Sequence, residues 1–135
     1  MATHTATTHT LINLKEVENQ APKFKMPDEM EARFARGALE LEQCGVSHFT
    51  LAPGFRIPFG HKHSEQEEVY VVVAGSARVK VGDDILDMQP LDALRVAPGE
   101  IRQFEAGPDG TEYVAFGTPQ TDASEAQMLP GWWKD

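Results

Sequence analysis

A chain of 135 residues can close one hydrophobic core but has no length for a cofactor domain beside a substrate domain. Twelve Lys and Arg against 21 Asp and Glu give a formal net charge of −9, and the basic residues are scattered, which argues against nucleic acid and anionic membrane as partners. The longest apolar run, residues 69–74, falls far short of the ~20 residues of a membrane-spanning helix.

In chain order, the first ten residues alternate Thr, His and Ala, offer little to bury and lack both the charged and the apolar region of a secretory signal. They read as a floppy arm. Residues 11–27 have sparse apolar positions and two prolines, which suits an extended segment lying on the body of the protein or crossing to a second subunit. Residues 30–36 suit a first short strand, which Gly37 breaks before residues 39–42.

From Val46 onward, short β-favouring runs alternate with Gly, Pro and Asp, the pattern of an all-β sandwich or barrel. Strands are predicted over 46–51 and over 68–74. Both faces of the second, Val69/Val71/Val73 and Tyr70/Val72, are apolar, as in a central strand covered on both sides. Residues 77–81 and 85–88 flank the loop Gly82-Asp83-Asp84, with Arg78 and Lys80 facing out and Val79 and Val81 facing in. Residues 93–96, 101–105 and 111–116 complete the set, and the segment after Gly117 reads as loop ending in Trp132-Trp133. Cys44 is the only cysteine, which excludes an internal disulfide and makes a reducing, cytoplasmic setting the expectation. With no His or basic neighbour in sequence, it reads as a small buried hydrophobe.

The chemistry sits in Gly60-His61-Lys62-His63-Ser64-Glu65-Gln66-Glu67-Glu68. Two histidines two apart on a strand project to the same face, and a turn through the next four residues brings Glu68 of the following strand alongside. Two neutral imidazoles and one carboxylate form a set that holds Fe(II), Mn(II), Ni(II) or Zn(II) with positions left open for water or substrate. The competing reading is a polar loop entering a strand, with Glu65, Glu67 and Glu68 as a solvated acidic face. By strand alternation Glu67 points away from Glu68.

At these residues the chain resembles the cupins. The first cupin motif runs Gly, five residues, His-x-His, three or four residues, Glu, six residues, Gly; His61, His63, Glu68 and Gly75 match it, while Gly54 stands one residue too early. The second motif is Gly, five residues, Pro-x-Gly, two residues, His, three residues, Asn. Its places fall at Leu91, Ala97, Gly99, Arg102 and Ala106, so Gly99 alone agrees and Arg102 stands where a metal-ligating histidine would. The resemblance spans just over half the chain, about residues 46–117. It implies a jelly-roll barrel (a double-stranded β-helix) with the first-motif residues inside, often a homodimer, and activities ranging from dioxygenases and isomerases to sugar or hormone binding and seed storage.

Arg102 divides the readings. A guanidinium ~4 Å from a divalent ion at an effective dielectric of ~20 costs on the order of 8 kcal/mol before rearrangement, and arginine cannot shed its charge. Either Arg102 pairs with Glu68 in a metal-free ligand-binding barrel, or it offers its planar fork to an anionic ligand that meets a metal held by His61, His63 and Glu68. In the second case, metal-assisted oxygenation or isomerisation of a small anionic or sugar-like compound is the reaction class. Whether the protein is an enzyme stays open. Tyr70 and Phe104 are candidate pocket walls, with core packing as the alternative, and His48 is a structural histidine or a replacement ligand. Trp132 and Trp133 suit a lid, a dimer contact or a tail folded onto its own barrel. The expected organisation is an N-terminal arm and edge strand over 1–36, a barrel over 37–118 and a Trp-bearing tail over 119–135. Free sheet edges make a homodimer the expected assembly.

Overall fold

The computed structural model describes residues 8–119 and 123–135; the start of the N-terminal arm and residues 120–122 lie outside them. Among the described residues eight strands follow in sequence: β1 (Met30–Phe34), β2 (Gly45–Leu51), β3 (Phe59–His63), β4 (Glu68–Val81), β5 (Asp84–Met88), β6 (Ala93–Val96), β7 (Arg102–Gly117) and β8 (Ala126–Pro130). All pairings between them are antiparallel. One edge-to-edge path runs β1-β2-β7-β3-β8, and β4 pairs with β5, β6 and β7, so the sheet curls into the jelly-roll barrel that the resemblance to cupins implies. Among the described residues no helix is long and apolar enough to cross a membrane.

Side-chain alternation builds the core. Tyr70, Val72, Ala77 and Val79 of β4 face in and are buried, as are Phe104, Ala106, Thr111, Tyr113 and Ala115 of β7. Phe49 and Tyr113 stack at 4.9 Å between centroids, Tyr113 and Phe104 at 4.5 Å, and Phe104 and Tyr70 meet at 4.7 Å. Each such pair adds ~1 kcal/mol beyond its buried area. The rings fill much of the barrel.

Several expectations are corrected. The runs 68–74 and 77–81 are one strand of 14 residues, and 101–105 and 111–116 one of 16. The glycines between them mark register shifts in a continuous ladder: Gly75 pairs with Thr111 and Ala77 with Ala106, so Ser76 alone faces the segment 107–110. The outer face of β4 is only partly covered: Val69 and Val71 are half-buried, and Val73, at the register shift, is 42% exposed. The β4–β5 hairpin closes with Val81 paired to Asp84, one residue tighter than expected. Cys44 is exposed, because it lies in the irregular stretch before β2 and not on a strand. The segment after Gly117, expected as loop, forms a 3₁₀ turn (Ala123–Glu125) and β8, which pairs along the whole of β3.

The N-terminal segment lies on the body, but it is not extended throughout: it winds into 3₁₀ turns at Leu14–Glu16 and Ala21–Phe24. Asn19 Oδ1 accepts from the backbone N–H groups of Ala21 (3.0 Å) and Ala32 (2.9 Å), and the Gln20 N–H donates to the Ala32 carbonyl (2.7 Å), docking the arm along β1. At the other end, Trp133 packs on its own barrel. It is buried, its backbone N–H donates to Gln103 Oε1 (2.9 Å), and the Arg56 guanidinium lies 4.0 Å from its ring centre.

Leu91 is a local misfit. It is 82% exposed with φ +73°, at the place where the second cupin motif has glycine. A left-handed β-carbon costs ~1–2 kcal/mol, while glycine costs ~0.5–1 kcal/mol in unfolded-chain entropy. Leu91→Gly is therefore expected to stabilise the protein by ~1 kcal/mol, a Tm rise of ~3–5 °C. Thermal unfolding checks this, and an unchanged or lower Tm would show that the left-handed turn carries no strain.

Candidate metal centre

His61 and His63 leave β3 on the same side, with Lys62 opposite, and their rings meet edge-on at 5.1 Å between centroids. The turn 64–67 reverses the chain and places Glu68 at the start of β4. Its Oε1 lies 3.8 Å from His61 Nε2 and 3.6 Å from His63 Nε2, and one donor atom from each of the three residues falls within 4.8 Å of the others. Donors around a shared ion at ~2.1 Å stand ~3.0–3.4 Å apart. The Glu68 oxygen stands within a few tenths of an ångström of that separation from each ring nitrogen, whereas the set as a whole spans up to 4.8 Å and would close by about an ångström around an ion.

Arg102 begins β7, directly across from His61 in the ladder, and is fully buried. Its Nη2 donates to Glu68 Oε1 (3.1 Å), its Nε to the Tyr70 hydroxyl (3.0 Å) and its Nη1 to the Glu100 carbonyl (2.9 Å). The Tyr70 hydroxyl in turn donates to Glu68 Oε1 and lies 3.4 Å from His61 Nε2. The ion pair foreseen in the metal-free reading is thus formed, and it engages one oxygen of Glu68. Tyr70 belongs to the site by its hydroxyl and to the core by its ring. Phe104 stacks among the core rings.

Protonation favours a cation among these groups. Burial holds the His61 imidazole below its usual pKa, and the charges of Arg102 and His63 add to this. Burial pushes the Glu68 carboxyl up, but hydrogen bonds from His61 and Tyr70 and the charge of Arg102 outweigh it and hold the group below the usual carboxylate range. The Tyr70 phenol is raised by burial and by Glu68, so it stays protonated. A neutral imidazole and an ionised carboxylate are the forms that bind a divalent ion, so His61 and Glu68 fit one.

The other residues singled out lie elsewhere. His48 is on β2, its Nε2 2.6 Å from Glu112 Oε2, and takes no part in the trio. Glu67 faces outward and meets Arg95 at 3.3 Å in an exposed pair. Gln66 is buried, with its side-chain amide on the Thr118 carbonyl.

Glu125 is the residue that sequence reasoning missed. Its side chain is fully buried, with Oε1 2.7 Å from His63 Nδ1 and Oε2 accepting from the backbone N–H groups of Gln66 (2.7 Å) and Glu65 (3.1 Å). Burial pushes its carboxyl up, but these donors bring it below the usual range. Nothing in Ala-Ser-Glu-Ala distinguishes it from a solvated acid, and it stands 62 residues from its partner.

No family model and no curated protein matches the chain. Solved structures do. A cupin protein from Bacteroides fragilis superposes with a TM-score of 0.68 at 20% identity, covering 87% of this chain and 89% of that one. A sugar phosphate isomerase from a cupin superfamily, from Silicibacter pomeroyi, gives 0.69 at 20% identity over 89% and 92%. Oxalate decarboxylase from Bacillus subtilis gives 0.75 at 20% identity over 93% of this chain, which spans about a third of that protein (33%). What these identities share with the present chain is architecture. By its strand order, its curled sheet and these superpositions, the chain has the fold of a small cupin domain.

Proposed function

We propose that this cupin binds a divalent transition metal (Fe, Mn, Ni or Zn) through His61, His63 and Glu68 and uses it to hold a small anionic or sugar-like compound. The observation that carries this reading is the convergence of one donor atom from each of His61, His63 and Glu68 at the mouth of β3 and β4. A bound ion would supply Lewis acidity and open positions for oxygenation or isomerisation. The chain's own groups supply the rest: Arg102 is a buried, fixed cation whose charge draws an anionic group toward the site, and Tyr70 holds both Arg102 and Glu68 in place. Aromatic rings occupy the barrel below, so a ligand approaches beside His61, whose side chain is 24% exposed and the most open of the three. That one structural neighbour is named for a sugar phosphate and another for oxalate, both anions, supports the role given to Arg102.

The contact between Arg102 and Glu68 favours a second reading, a metal-free ligand-binding cupin in which that ion pair replaces the metal. Elemental analysis and calorimetric titration of untagged protein separate the two. The expected result is about one equivalent of Fe(II), Mn(II), Ni(II) or Zn(II), lost in His61→Ala. Under about a tenth of an equivalent, with no uptake on titration, would leave the metal-free reading.

A further inference from the structure

We propose that Glu125 is a positioning residue that decides which ring nitrogen of His63 carries the hydrogen, and so keeps Nε2 free to ligate. The inference rests on the metal reading above for its purpose, and on the hydrogen-bond geometry alone for its content. Both carboxylate oxygens of Glu125 face donors: Oε2 takes the backbone N–H groups of Glu65 and Gln66, and Oε1 faces His63 Nδ1 at 2.7 Å. An ionised carboxylate accepts only, so Nδ1 must donate. A neutral imidazole with its hydrogen on Nδ1 has its lone pair on Nε2, and Nε2 is the nitrogen that looks toward Glu68.

The same residue fixes the turn that carries the motif. The backbone carbonyl of Glu125 accepts from the Ser64 N–H (2.8 Å), so Glu125 gathers the N–H groups of three consecutive turn residues as well as the ring. His63 is thereby held at both ends, through its backbone in the β3–β8 ladder and through its ring. A carboxylate behind a ligating imidazole orients the ring and raises its basicity, and losing one typically lowers metal affinity ~10–100-fold.

Glu125→Gln gives a test that differs from simple damage. The amide has one acceptor oxygen and one NH2 group. Two backbone donors compete for the oxygen against a single ring nitrogen, so the oxygen stays with Glu65 and Gln66 and the NH2 turns to His63. Nδ1 must then accept, the hydrogen moves to Nε2, and the lone pair leaves the metal side.

The experiment is a long-range proton–nitrogen correlation spectrum of metal-free, nitrogen-15-labelled protein, with Zn(II) affinity measured on the same samples. The wild type is expected to show His63 with its hydrogen on Nδ1. Glu125→Gln should show it on Nε2, with Zn(II) affinity at least tenfold weaker, and Glu125→Ala, which offers neither acceptor nor donor, should show a mixture of the two forms. Circular dichroism establishes that each variant is folded, and if Glu125→Ala is not, the amide variant still decides. The same His63 tautomer in wild type and Glu125→Gln overturns the proposal, and so does a shifted tautomer with unchanged Zn(II) affinity. Wild-type protein that takes up no Zn(II) overturns the metal reading instead, because the tautomer is read without metal.

Discussion

Arg102→Met is expected to lower the Tm of the metal-free protein by ~10–20 °C while raising its affinity for divalent ions at least tenfold. The guanidinium is fully buried and its partner Glu68 is 14% exposed, so the substitution leaves a carboxylate inside the barrel with only the Tyr70 hydroxyl and two imidazole rings to face. Breaking one side of a buried pair costs ~3–5 kcal/mol, and at this chain length each kcal/mol is ~3–5 °C in Tm. The gain in affinity has the opposite origin. Removing a permanent charge beside the ligand set abolishes a repulsion whose unrelaxed size is on the order of 8 kcal/mol, and it releases Glu68 Oε1. A fraction of that is enough for tenfold. Thermal unfolding with and without Zn(II) reads both effects, since the ion should restore part of the lost Tm. An unchanged Tm would mean the pair contributes nothing, and an unchanged affinity would mean the charge lies outside the field of the ion.

Gly75→Ala is expected to cost ~3–5 kcal/mol, well beyond the ordinary penalty for a β-carbon at positive φ. Gly75 has φ +71°, and a β-carbon there would stand 2.1 Å from the Gly110 carbonyl oxygen and 2.9 Å from its carbon. Those atoms belong to the paired strand, so relief requires β4 and β7 to part at the register shift. The left-handed conformation costs ~1–3 kcal/mol and the crowding a further ~1–3 kcal/mol. Gly99, the one glycine of the second motif retained, has φ +87° and open space around its missing β-carbon, so Gly99→Ala should show the conformational part alone. Denaturant unfolding of the two variants compares them directly. Equal losses would rule out the close strand approach as the reason for glycine at position 75.

The contrast between these glycines marks how far the sequence could be read. His61, His63 and Glu68 were legible because the information is local: strand alternation puts two rings on one side and a short turn returns the carboxylate. Arg102 was legible as an intruder, and one of its two foreseen contacts, with Glu68, is formed. The lengths of β4 and β7 were not legible. Gly75-Ser76 and residues 107–110 have the composition of turns, yet here they are irregularities within paired strands, and only the partner strand tells the two apart. Strand β8 was missed for a related reason. Ala-Gln-Met-Leu-Pro has little β-propensity and becomes a strand because the free edge of β3 offers it a ladder. Glu125 went with it, since its role depends on where that edge ends.

The pairing of β3 with β8 also sets an order of events for the nascent chain. His61 and His63 emerge early, but the ladder that flattens their strand and the acid that grips His63 arrive with residues 125–130. Until then their strand has only the bridge between His61 and Arg102 to hold it to the sheet. Contacts of such long sequence separation form slowly, so the candidate metal centre is expected to be among the last parts of the molecule to mature, after the long β4–β7 ribbon has already zipped.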